Sequence, residues 1–179
     1  MDITHDDALG MHETLNYQLK TYWGQTYVDN EGRNAREYYR YIRNTPSDPW
    51  VFSDLWTGII DGIRAELIEE NQRVVKLVFA PTYQKEWDAN AYNVFGELDC
   101  YYADIHDDKV IGGTNFDSTI TVEQEDYNNL IDSVRMYEIY AKHVGLVYHH
   151  FKDNHYQFGS PVVVYGKELY LTFSSSGFE

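Results

Sequence analysis

The chain has a single cysteine in 179 residues, Cys100, which excludes an internal disulfide and fits a reducing compartment. No apolar run approaches the ~20 residues that a membrane-spanning helix needs. The first seven residues, Met1 to Asp7, are acidic where a secretory signal would be basic. On these grounds the chain is expected to be soluble and cytoplasmic, with no membrane partner. A Walker A loop, a GxGxxG fingerprint, a GxSxG elbow, an HExxH pair and a CxxC pair are all missing. The sequence therefore offers no catalytic residue and no cofactor, and the expectation is a protein that is not an enzyme. There is no internal repeat, low-complexity segment or clear linker. One domain over residues 1–179 is the economical organisation, removing roughly 70% of the unfolded surface from water.

Bases are scarce. Fourteen Lys and Arg stand against 29 Asp and Glu, giving a net charge of −15. The excess runs along the whole chain, so it is not an acidic tail on a neutral domain. Such a field repels nucleic acid and anionic membrane and attracts a basic protein surface. Acidity also keeps many proteins dissolved, and that alternative stands beside the functional one. What the chain has in plenty is apolar and aromatic side chains, 43% and 16% of residues, which exclude a wholly disordered chain.

Apolar spacing predicts a first helix over about 5–22, capped at Thr4 and carried by Ala8, Met11, Leu15, Leu19 and Tyr22. Asp29-Asn30-Glu31-Gly32 reads as a turn. Arg33, Arg36, Arg40 and Arg43 follow at steps of three, four and three, which on a helix puts them on one face. That stripe suits phosphate or RNA with tyrosines to stack on bases, or internal pairing with the surplus carboxylates, and the second reading is favoured. After Pro46 and Pro49 a second helix over about 53–70 follows from Leu55, Ile59, Ile63 and Leu67. Glu69 and Glu70 at its C-terminal end oppose the helix dipole, which suggests a use elsewhere.

Arg73 to Ala80 reads as a strand, and Thr82 to Asn93 fits a loop or a short helix. Gly112-Gly113 is a bend. Thr121 with Gln124 resembles a capping box, with Glu123, Glu125 and Asp126 in the first turn of a long helix around 122–144 on Leu130, Val134, Tyr137, Ala141 and Val144. Leu146–Phe151, Tyr156–Phe158, Val162–Tyr165 and Leu169–Phe173 read as strands joined at Lys152-Asp153-Asn154 and Gly166-Lys167. The expected fold is α+β: N-terminal helices, an antiparallel sheet of about five or six strands and one further long helix.

The candidate site is the stretch Glu97 to Asp108. It holds Glu97, Asp99, Asp104, Asp107 and Asp108 with Tyr101 and Tyr102, and no Lys or Arg. As a strand it alternates Leu98, Cys100 and Tyr102 with Glu97, Asp99 and Tyr101 before a turn at His106–Lys109. As a helix it would stripe Glu97, Tyr101, Asp104 and Asp108. Either period leaves an acidic face carrying tyrosine, to which Glu69, Glu70, Glu123, Glu125 and Asp126 add further acids. The His143–His155 cluster would need Asp153 or distant acids to complete a metal shell, the Asp104–Asp108 cluster does not follow the EF-hand spacing, and no metal is expected.

In size, charge and absence of motif the chain resembles phage-encoded anti-defence proteins, namely anti-CRISPR and anti-restriction DNA mimics. The resemblance implies an inhibitor in a bacterial cytoplasm, occupying the basic groove of a nuclease of the Cas9 or restriction type. Carboxylates would stand in for phosphates and tyrosines would seal the contact, without direct DNA binding. The alternatives are an immunity protein for a toxic nuclease and an RNA- or phosphate-binding protein using Arg33–Arg43.

Overall fold

A computed structural model of the chain describes residues 2–6 and 12–177. Among them there is no helix. Thirteen strands form two antiparallel sheets: β1 Asp2–Asp6, β2 His12–Asn16, β3 Gln18–Val28, β4 Asn34–Arg43, β5 Val51–Ile60, β6 Arg64–Glu69, β7 Gln72–Val78, β8 Glu86–Asp88, β9 Asp99–Ile111, β10 Thr114–Asn128, β11 Asp132–Ala141, β12 Gly145–Tyr156 and β13 Val163–Thr172. The eight-stranded sheet runs β2-β1-β13-β12-β11-β10-β9-β8 and the five-stranded sheet β3-β4-β5-β6-β7. The expected α+β class is thus replaced by an all-β fold. No helix is long and apolar enough to cross a membrane among the described residues.

Each expected helix resolves into strands for a local reason. The 5–22 segment gives the end of β1, β2 and the start of β3, with Asp7–Met11 outside the described residues. The 33–43 segment is β4, where Tyr38, Tyr39, Tyr41 and Ile42 favour a pleated surface over a helix. The 53–70 segment is the β5–β6 hairpin: Asp61 accepts the Ile63 and Arg64 amides, and Gly62 takes φ +84°. Glu70 and Asn71 then both adopt positive φ, 47° and 64°, making the tight turn into β7. The 122–144 segment is the latter part of β10 and all of β11, broken at Asn129, whose side-chain oxygen accepts the amides of Ile131 and Asp132.

Two compact units emerge. One holds Tyr17–Pro81 and Trp87–Asp99, the other Met1–Asn16, Thr82–Glu86 and Cys100–Glu179. The first contains the five-stranded sheet. Its interior carries Ala35, Ile59 and Val75 around a buried carboxylate, Glu66, whose side chain is 1% exposed. Arg64 Nε donates to Glu66 Oε1 at 2.6 Å, Arg33 reaches Oε2 at 3.2 Å and Arg73 lies 3.6 Å away. Each of these arginines also meets a second acid, namely Asp61, Asp29 and Glu31. In the second unit, strands β9 to β13 are neighbours in chain order, with register shifts along β9 and β10 that bend the sheet. Its core gathers Ile111, Phe116, Ile139, Ala141 and Val147, with Tyr137, Tyr148 and Phe173 packed against them.

Candidate functional site

The acidic stretch divides between the two units. Glu97 and Asp99 belong to the five-stranded unit and are exposed. In the other unit, Tyr101 is half-buried and Tyr102 is 0% exposed, with its amide and carbonyl bonded to Lys85 and Gln84. Tyr102 is therefore core, where a contact residue was expected. The turn read at His106–Lys109 is instead part of β9: His106 takes φ +59° at a bulge and the strand continues to Ile111.

Several of the acids are neutralised close to home. Lys109 Nζ lies 3.2 Å from Asp104 and 3.1 Å from Asp107. Burial works against the Lys109 charge, but hydrogen bonds to Asp107 and Asp104 outweigh it and raise its pKa. Glu123 is buried and takes a forked pair of hydrogen bonds from Arg135, which also reaches exposed Asp126 at 3.0 Å. Burial opposes the Arg135 charge as well, and the bonds to Glu123 together with the charges of Glu123 and Asp126 more than offset it. Glu69 is half-buried at the end of β6 and Glu70 is exposed in the turn, so neither closes a helix. Asp108 is exposed and Glu125 half-buried, and neither forms an ion pair among the described residues.

The arginines of the sequence stripe are each engaged within their own unit. Arg33 pairs with Asp29, Arg36 donates to the Gly24 carbonyl, and Arg40 stacks 3.8 Å over Trp56 while meeting Asp54. Arg43 donates to Gln18 and Pro46 and lies 4.3 Å over Trp50. On a strand, Arg36 and Arg40 share one face while Arg33 and Arg43 fall out of step with them. The single helical face is gone.

The residues that do converge lie in a row missed at the sequence level. The register links Tyr101, Glu123, Tyr137, His150 and Tyr170 across β9, β10, β11, β12 and β13. Directly opposed residues share a face, so these five side chains line one side of the sheet. Arg135 sits 4.7 Å over Tyr137, whose ring meets His150 edge-on at 5.4 Å, and His150 stacks on Tyr170 at 4.5 Å. Tyr170 donates to Glu168 at 2.6 Å, and His150 Nε2 lies 3.2 Å from the same oxygen. The Glu168 bond and burial push the Tyr170 hydroxyl up to about 12.

Comparison with family models, curated proteins and solved structures gives no match. The site is defined by its own chemistry. His155 and His149 also face carboxylates, Asp132 at 2.8 Å and Glu138 at 3.1 Å, so each of these β12 histidines meets an acid of β11. Among the described residues no three His, Cys, Asp or Glu side chains converge as a metal site. The period-2 alternation Arg135, Tyr137, Ile139 was the signal for the row, hidden behind the three- and four-residue spacing of the same segment.

Proposed function

We infer that the chain is an acidic, non-enzymatic binding protein that docks on a basic macromolecular surface within the cell. The supporting observation is the uneven partition of charge. The eight-stranded unit carries 17 acids against six bases, a net −11, while the five-stranded unit carries 12 against eight, a net −4. Six of the seven arginines lie in the five-stranded unit, and Arg135 alone lies in the eight-stranded unit. A long-range field of one sign steers a complementary partner and suppresses wrong ones. The basic groove of a nuclease, of the CRISPR-effector or restriction type, is the partner that fits this reading. Occupation of that groove would block nucleic acid by competition.

In this reading the contact is made by acids of the eight-stranded unit that no base satisfies internally: Asp108, Asp117, Glu125 and Asp153, none in an ion pair among the described residues. The test is binding to a panel of purified basic nucleases at low and high salt, with displacement of labelled DNA as the readout. Neutralising those four residues together should weaken binding and flatten its salt dependence, whereas Glu97→Gln with Asp99→Asn should change little. Equal loss from both sets, or binding indifferent to salt, would defeat the assignment.

A further inference from the structure

A cavity of about 390 Å³ opens on the face of the eight-stranded unit just described. Its polar lining is the Tyr137, Tyr148 and Thr172 side chains with Lys109, and its apolar lining is Val110, Ile111 and Ile139. The volume lies within the roughly 300–1,000 Å³ common for small-molecule sites. The β9–β10 turn forms part of the wall because Gly112, at φ +58°, presses against the Phe173 carbonyl at a distance no side chain would permit.

The register explains why hydroxyls gather here. Asp104, Thr121, Ile139, Tyr148 and Thr172 are successive partners across β9 to β13, one row from the Tyr101–Tyr170 series. Thr121 is buried and its hydroxyl has no hydrogen-bond partner among the described residues. Tyr148 is tilted against Tyr137 at 5.5 Å. Burial, then its hydrogen bond with Tyr137, raises the Tyr148 pKa.

We propose that this cavity binds a neutral pyranose sugar, with its C–H face against Ile111, Ile139 and the Tyr148 ring and its hydroxyls toward Tyr137, Tyr148, Thr172 and Lys109. The other ligand classes fit less well for stated reasons. An anion would find one ammonium, Lys109, already shared by Asp104 and Asp107, in a unit of strongly negative charge. A cation would face that ammonium directly, and the Tyr137 ring is already occupied by Arg135. A purely apolar ligand would strip water from three hydroxyls and return no hydrogen bond. A sugar ring supplies an apolar face and a polar edge together. The inference is independent of docking by the acidic surface.

The test is amide-resolved NMR titration of the full chain with methyl glucoside, galactoside and mannoside, and with hexanoate and hexylamine as anionic and cationic probes of similar size. The expected result is saturable shifts at Lys109, Ile139, Tyr148 and Thr172 with at least one glycoside. Tyr148→Phe and Thr172→Val, which keep the shape, should each weaken it about fivefold, the loss of one ordinary hydrogen bond. Tighter binding of hexanoate or hexylamine overturns the proposal, as do shifts outside the cavity or glycoside binding unmoved in both variants. Absence of saturation with every glycoside overturns it equally.

Discussion

Glu66→Gln removes a negative charge and keeps the shape of the side chain. The carboxylate is buried among Arg33, Arg64 and Arg73, with contacts at 3.2, 2.6 and 3.6 Å. Breaking a buried ion pair by removing one partner costs about 3–5 kcal/mol, because the surviving charge is left uncompensated. Here Asp29, Glu31 and Asp61 still hold the three arginines, which places the loss near the lower end, about 3 kcal/mol. With a urea slope of about 2 kcal/mol/M the midpoint should fall by about 1.5 M. Glu31→Gln is the control, since Glu31 contacts Arg73 at 2.6 Å from a position 57% exposed. An exposed pair is worth about 1 kcal/mol or less. All four tryptophans, Trp23, Trp50, Trp56 and Trp87, lie in the same unit as Glu66, so their fluorescence follows that unit selectively. Equal midpoints for the two variants would refute burial as the source of the effect.

Three further outcomes follow from the same geometry. The Asp29 pKa is lowered first by the Arg33 amide and then, against a burial penalty, by the Arg33 side chain, so its stabilisation is present above the ordinary carboxylate range and lost as pH falls through the lowered value. Asp29→Asn should therefore flatten the acid limb of the tryptophan-monitored transition. Tyr170 is raised to about 12, so its contribution is full below the usual ~10 and is lost as pH climbs from there through about 12. In an absorbance titration of tyrosinate, Glu168→Gln should bring one hydroxyl back toward ~10. Gly112→Ala should destabilise the eight-stranded unit by about 1–2 kcal/mol, read by tyrosine near-ultraviolet circular dichroism, because the left-handed backbone and the Phe173 carbonyl both resist a Cβ.

How far the fold was legible turns on one ambiguity of period. A step of four returns to the same face on a helix of 3.6 residues per turn and on a strand of period two. Leu55, Ile59, Ile63 and Leu67 therefore carried no information that could separate them, and Ile63 in fact lies in the turn between β5 and β6. The punctuation was clearer. Asp29–Gly32 is a turn closed by the Gly32 amide on the Asp29 carbonyl, and Gly112-Gly113 is the tight β9–β10 turn. The strand expected at Arg73–Ala80 is β7, while Leu146–Phe151 lies within β12. Val162–Tyr165 and Leu169–Phe173, read as separate strands, fall largely in the single β13, so Gly166-Lys167 is no joint, and Lys152–Asn154 lies inside β12. Tight turns made by Glu70-Asn71 and Asp61-Gly62 were obscured because each sits in an apolar run that helical spacing could claim. At the site, the alternation that set Tyr102 beside Cys100 already pointed it inward. The alternation Arg135, Tyr137, Ile139 was the one local signal of the cross-strand row, whose other members are brought together by register.

The pairing of β1 with β13 has a consequence for assembly. Asp2 lies opposite Tyr170, whereas β9 through β12 each pair with their immediate successor. Hairpins between successive strands close short loops and zip rapidly, while a partner more than a hundred and sixty residues away must be found through a costly search. The meander should thus nucleate first, with the leading strand annealing late and peeling away first under stress.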